Sequence, residues 1–158
     1  MPLTIEQRER IVTEARSWAK AKTPYRGWSG IKGPKGGADC GQFLYGVFRN
    51  CGLIPETELP KDYSLQVALH RASTEYIGFV DRFLRDIPEA EAQPGDIVVY
   101  KLGHAYAHAA LIVSWPGFVI QAEARHGVSG AHGTASPIYR RAPRLFRTLK
   151  DEFCAGGF

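Results

Sequence analysis

An α+β fold is predicted for this 158-residue chain. Two observations carry the prediction. Helical periodicity dominates the first half, and after Pro94-Gly95 short strand-like runs separated by turn signals take over. Helices followed by an antiparallel sheet is the α+β order, not the alternation of a doubly wound parallel sheet. The length fits one domain over residues 1–158. With 44% hydrophobic residues, it can bury a core without disulfide staples.

Thr4 followed by Gln7 is a capping-box signature. Ile11, Ala15 and Trp18 recur at helical spacing behind it, so a helix is predicted over 5–20. Thr23-Pro24 ends it, because the residue before proline avoids the helical region. Tyr25 to Ala38 holds Gly27, Gly30, Gly33, Pro34, Gly36 and Gly37 and is read as a loop. It lacks the Gly-Lys-Ser/Thr ending of a phosphate-binding loop. A second helix starts at Asp39 or Cys40, with Phe43, Leu44, Val47, Phe48 and Cys51 as its apolar face and Gly52 as its C-cap. Gly41 and Gly46 lower its propensity and suit a close approach by a neighbouring backbone. Two further helices are predicted over 65–72 and 74–84, with Pro88 closing the region.

The strands follow. Asp96 to Tyr100, Ala107 to Trp115 and Phe118 to Glu123 are the main ones, with turns at Pro94-Gly95 and Pro116-Gly117. Val128, Ile138-Tyr139 and Leu145 to Leu149 are read as further short strands. No internal repeat is visible.

The net charge is +4. Arg140, Arg141, Arg144 and Arg147 form the one cluster, which suits an anionic polymer and equally a solvated basic surface. No zinc-finger spacing, ribonucleoprotein motif or long basic stripe points to nucleic acid. No stretch approaches a membrane span, so no membrane insertion is expected. The residues from Met1 to Arg8 carry no apolar run. The expectation is a chain kept in the cytoplasm or exported by a signal-independent route. Three cysteines, Cys40, Cys51 and Cys154, imply no disulfide framework.

Cys40 is the cysteine with a chemical setting. It stands at a helix start, where unpaired N–H groups and the macrodipole favour an anion. A lowered thiol pKa is therefore expected, and the same N–H groups can receive an oxyanion. Cys51 faces the helix core and Cys154 a glycine-rich tail; both read as structural. A thiol nucleophile needs a histidine base and a group that orients it. His70, on a predicted helix, reads as surface, and His126 and His132 lie in a Gly-rich segment. His104 and His108 flank the start of a central strand. On the next strand Gln121 stands among apolar neighbours and needs a partner; its amide oxygen could fix a histidine tautomer. His104 as base and His126 as orienting residue stay open. So does a metal site of Cys40, His104 and His108, although no further Cys or acid sits at ligand spacing. No cofactor motif is present.

Thr23-Pro24-Tyr25, the Gly-rich loop, Ala38-Asp39-Cys40-Gly41, Gln93-Pro94-Gly95-Asp96-Ile97, His108-Ala109-Ala110-Leu111-Ile112-Val113 and Val119-Ile120-Gln121-Ala122 together resemble, in this order, the NlpC-type cell-wall cysteine peptidases. The resemblance implies a papain-like fold with the nucleophile helix packed on a small antiparallel sheet. It implies cleavage of peptidoglycan stem peptides, typically between D-Glu and a diamino acid. Cys40 matches the nucleophile, His108 the base and Gln121 the third polar residue. Tyr25 matches an active-site tyrosine, and Asp39 the acid that meets a substrate amine or caps the helix. Gly41 departs from the usual Ser, and Gln121 from the frequent His. The longer insert over 62–86 looks like the phage-tail or prophage-encoded branch, with phage-tail or secretion-apparatus proteins as partners. A tail-assembly or wall-binding module, a toxin-type amidase and an acyl transferase are the alternatives on the same fold.

Overall fold

The computed structural model describes residues 1–26, 29–57 and 82–158. Helix α1 (Ile5–Lys20) starts as its sequence dictates. The Thr4 hydroxyl accepts from Gln7 N–H at 3.1 Å, and Gln7 Oε1 accepts from Thr4 N–H at 2.8 Å. Two orphan donors of the first turn are thus satisfied reciprocally. Ile11, Ala15 and Trp18 form its buried stripe, as predicted.

Helix α2 (Cys40–Asn50) goes further than its sequence suggests. Instead of one apolar face, every residue from Cys40 to Phe48 is buried, because α1 covers one side and the sheet the other. Gly46 makes this possible. A Cβ there would lie 2.5 Å from Trp18 Cζ2, so what approaches closely is an indole ring and not a backbone. Trp18 meets Phe43 edge-on with centroids 5.8 Å apart. Side chains of this size contribute roughly 1.5–3 kcal/mol each on burial.

Six strands form one antiparallel sheet: β1 (Leu84–Ile87), β2 (Ile97–Leu102), β3 (Ala105–Ser114), β4 (Phe118–Glu123), β5 (Gly127–Ala131) and β6 (Arg144–Leu149), in the order β1-β6-β2-β3-β4-β5. Both faces are covered. Ile97, Val99, Ala109, Leu111, Ile120 and Ala122 join the core under α1 and α2. Val98, Tyr100, Ala110, Ile112 and Val119 alternate to the other face, packed with Phe146 and Ala142. Two short helices complete the described chain, α3 (Pro137–Arg141) and α4 (Asp151–Cys154).

Two predictions differ from the structure at described residues. The predicted helix over 65–72 and nearly all of that over 74–84 lie outside the described residues, but Leu84 belongs to β1. Pairing of Leu84 to Ile87 with Leu149 to Phe146 outweighs the helical stripe there. Ile138-Tyr139 is helical, in α3, and not a strand. Ser136-Pro137 is a helix-start pair, with proline at the first position where its missing N–H costs nothing.

The Gln93 to Ile97 segment proves architectural. Gly95 turns at φ +89°, and Gly95 N–H donates to Ile112 O at 2.8 Å. Asp96 is buried. Its Oδ2 accepts from Gln93 N–H and its Oδ1 from Arg8 Nη1, both at 2.8 Å. Arg8 Nη1 also donates to Pro94 O at 3.0 Å. An ion pair thereby latches α1 to the turn that starts β2. No helix among the described residues is long and apolar enough to cross a membrane.

Candidate active site

The site forms where the β3–β4 ladder opens. That ladder runs from Ser114↔Phe118 to Leu111↔Ile120 and goes no further. His108 and Gln121 lie beyond it, one on each strand. Alternation places His108 with Ala110 and Gln121 with Val119, on one face of the sheet. A bulge sits beside the histidine: Tyr100 pairs with His108 and Lys101 with Tyr106, so Ala107 is the extra residue. Bulges bend a strand and re-aim the next side chain.

His108 Nε2 and Gln121 Oε1 are 2.9 Å apart, and both side chains are buried. An amide oxygen only accepts, so Nε2 carries the proton and donates it. The neutral ring then has its lone pair on Nδ1, which is the tautomer a base needs on that side. Gln121 thus meets its expected partner.

Cys40 is the first residue of α2, and its sulfur lies against the backbone N–H of Ala109, the residue after His108. Asp39 is fully buried and caps α2: it accepts from Gln42 N–H at 2.8 Å, while Gln42 Oε1 accepts from Asp39 N–H at 3.1 Å. Tyr25 is brought to the same place by the chain on either side of it. Ala38 N–H donates to Pro24 O at 3.0 Å, and Tyr25 forms a parallel bridge with Ala38. Tyr25, Asp39 and Cys40 thus lie together, and Tyr139 links them to the His108–Gln121 pair: its ring stacks on the imidazole while the charge of Cys40 reaches it.

The competing histidines do not. His104 lies in the exposed turn between β2 and β3, outside the site. His126 is exposed and pairs with Glu123. His132 is exposed and accepts from Thr134 N–H at 3.1 Å. His70 lies outside the described residues. No group of three metal-ligating side chains occurs among the described residues. Cys51 and Cys154 are buried thiols, as expected of structural cysteines.

Three residues at the site escaped the sequence reading. Tyr100, cross-strand partner of His108, stacks near its ring at 5.8 Å. Tyr139, from α3, stacks on the same ring at 5.1 Å. Glu123 lies two residues past Gln121 on the same face, and its charge reaches both His108 and Tyr139. The Ser136-Pro137 helix start was the available signal for Tyr139. Tyr100 needed the strand register.

Solved structures show which fold this is. A protein from Staphylococcus aureus described as similar to lipoprotein, NLP/P60 family, superposes with a TM-score of 0.58 and 19% identity. The match covers 94% of this chain but 43% of that protein, so this chain spans less than half its length. The NlpC/p60 domain of the peptidoglycan hydrolase SagA matches at 0.51 and 21% identity, over 90% of this chain and 98% of that domain. The peptidoglycan hydrolase RipB from Mycobacterium tuberculosis matches at 0.52 and 16%, over 94% of this chain and 69% of that one. The chain has the NlpC/P60 fold. Comparison of the sequence with protein-family models and with curated proteins gives no match.

Within this NlpC/P60 fold the thiol departs from the sequence expectation. Burial, and then the Asp39 carboxylate, push Cys40 up to about 12, against the lowering by the N–H groups of Ala109, Gly41 and Cys40 itself. The helix start was expected to lower it. The capping carboxylate offsets the positive helix end, and the fully buried sulfur has no water to solvate a charge. His108 moves the other way: burial lowers it, against the raising effects of the Gln121 bond and Glu123. Both shifts favour the uncharged forms, thiol and neutral imidazole. Tyr25 is also raised, by burial and then by the charges of Cys40, Asp39 and Tyr139, and stays a hydroxyl donor.

A charge substitution tests this balance. Asp39→Asn keeps an oxygen to cap Gln42 N–H and removes the charge beside the sulfur. Less negative charge lowers the thiol pKa, so more thiolate exists at any given pH. Alkylation of Cys40 by iodoacetamide at pH 7 to 10, followed by peptide mass spectrometry, should run faster in Asp39→Asn than in the unaltered protein. An equal or slower rate would mean that the carboxylate does not govern the thiol.

Proposed function

We propose that this chain is a cysteine peptidase of the NlpC type, residues 1–158 forming one such domain, that hydrolyses amide bonds in peptidoglycan stem peptides between D-Glu and a diamino acid. The His108–Gln121 hydrogen bond carries the reading. It commits Nε2 and leaves Nδ1 as the basic atom beside the strand segment against which Cys40 packs. The fold shared with two peptidoglycan hydrolases supports the substrate class.

The mechanism follows from an uncharged thiol and imidazole. His108 Nδ1 takes the thiol proton as Cys40 sulfur forms its bond to the amide carbonyl carbon. The Cys40 N–H and the Tyr25 hydroxyl donate to the oxyanion. The C–N bond then breaks, Nδ1–H protonates the departing amine, and a thioester remains on Cys40. Water attacks the thioester with Nδ1 as base, and the proton returns to sulfur as the acid leaves. Gln121 holds the tautomer throughout, but as a neutral group it offers the imidazolium less stabilisation than a carboxylate would.

Digestion of purified sacculi, followed by mass spectrometry of the released fragments, tests activity and bond choice together. New amino groups on the diamino acid are expected. His108→Ala should abolish them and His104→Ala should leave them. A chain that pellets with sacculi and releases nothing would be a binding module, and retained activity in His108→Ala would remove the proposed base.

A further inference from the structure

We propose that Tyr139 is a positioning residue for His108, its ring packing with that of Tyr100 against the imidazole whose Nε2 Gln121 holds. The inference rests on the catalytic reading of His108 above and adds a residue to it.

The geometry is a three-ring cluster. Tyr139 and His108 centroids are 5.1 Å apart with their planes at 20°. Tyr100 and His108 are 5.8 Å apart at 23°, and Tyr100 and Tyr139 are 4.8 Å apart at 40°. One hydrogen bond to Gln121 fixes a single ring atom and leaves the plane free to rock. Nearly parallel aromatic neighbours oppose that rocking by contact. Both tyrosines lie on the same side of the imidazole, and with the Gln121 bond and the bulged strand they restrict it, as a preorganised base requires.

Both tyrosines are themselves anchored. Tyr100 Oη donates to Gly133 O at 2.7 Å. Helix α3 is tied down by arginines of the basic cluster. Arg140 Nε donates to Thr134 O and Arg140 Nη2 to Ala135 O, each at 3.2 Å. Arg144 Nη2 donates to Arg140 O at 2.9 Å and lies over the Trp115 ring at 5.6 Å. These two arginines serve local structure, and what they hold in place is the helix carrying Tyr139. Five residues of helix would otherwise be a marginal support.

The cover also keeps water from the ring. The charged and titratable groups facing His108 and the rings packed on it are Tyr100 from β2 with Arg144 beyond it, Glu123 from β4 with its partner His126, and Tyr139 from α3, which the charge of Cys40 from α2 also reaches. Burial is the largest influence on the imidazole and lowers its pKa. Removing the Tyr139 ring admits solvent, so the pKa should rise toward the ordinary value. His108 must be neutral to accept a proton, so the acid limb of kcat/KM should move to higher pH.

Tyr139→Phe keeps the stacked ring, and Tyr139→Leu fills much of its volume without one. Tyr139→Phe should retain kcat within about twofold. Tyr139→Leu should lose about 10- to 10²-fold in kcat, the scale of a misplaced reacting group, with KM little changed. NMR titration of the His108 ring, assigned by its loss in His108→Gln, should rise in the Leu variant and not in the Phe variant. That titration needs no turnover. If the unaltered protein releases nothing from sacculi, the peptidase reading fails while the ring contact is still decided. Unchanged kcat and titration in Tyr139→Leu would overturn the proposal. Equal loss in Tyr139→Phe would place the effect in the hydroxyl, and a change in KM alone would make Tyr139 a substrate wall; either result also overturns it.

Discussion

Cys40→Ala is expected to abolish amine release from sacculi while leaving the chain folded. Loss of a nucleophile leaves only the catalysis that binding and oxyanion donors supply, so a fall on the order of 10⁴- to 10⁶-fold is anticipated. The structural cost should be small, about 1 kcal/mol. The sulfur is buried, but the cap that starts α2 is made by Asp39 and Gln42, not by the thiol. Circular dichroism and urea unfolding should therefore nearly superimpose on those of the unaltered protein. If Cys40→Ala unfolds, the cysteine is a core residue and the proposed nucleophile is lost. Cys40→Ser separates the cases: it fills nearly the same space, yet a serine hydroxyl without a charged relay behind it should remain close to inactive.

The largest stability effect is expected at Asp96. Its carboxylate is 1% exposed and the Arg8 side chain 9%, so removing one partner strands the other charge in the core. Breaking such a pair costs about 3–5 kcal/mol. Asp96→Ala also leaves Gln93 N–H without its acceptor in the turn before β2. Guanidinium unfolding should show the midpoint falling accordingly. The double variant Arg8→Met with Asp96→Ala should lose much less than the two single losses combined, because no unpaired charge remains. A single-variant cost below about 1 kcal/mol would mean that water or another group satisfies Arg8, and that the latch does not hold α1 to the sheet.

The Asp39 prediction has a mechanistic consequence. A preformed thiolate–imidazolium pair would react with alkylating agents at neutral pH. A neutral pair passes the proton only as the sulfur attacks, so its reactivity toward iodoacetamide should climb in the alkaline range, toward the raised thiol value. Burial and then the same carboxylate that stabilises the helix start favour the protonated Cys40 thiol.

Local signals explain why part of this protein is legible in its sequence. The Thr4–Gln7 box, Thr23-Pro24, Asp39 before Cys40 and the Pro94-Gly95 turn each act over a few residues, so α1, α2 and the start of β2 follow directly. Strand alternation places Val119 and Gln121 on one face for the same reason. Cys40, His108 and Gln121 stand out as candidates because a helix start, a strand and a polar residue among apolar ones are local patterns. Non-local pairing decided the remainder. Leu84 is a strand residue because β6 is there to pair with it. His108 and not His104 meets Gln121 because the β3–β4 ladder opens beside it, while His104 occupies a turn. The thiol pKa depends on how deeply α2 is buried, and the helix start alone pointed the wrong way. Tyr139 reaches His108 from 31 residues further along the chain only once α3 is seated. The sequence by itself determined where α1, α2 and β2 begin and which side chains are capable of the chemistry. Tertiary structure alone decided their protonation and their neighbours, because desolvation and ring contacts come from residues distant in the chain.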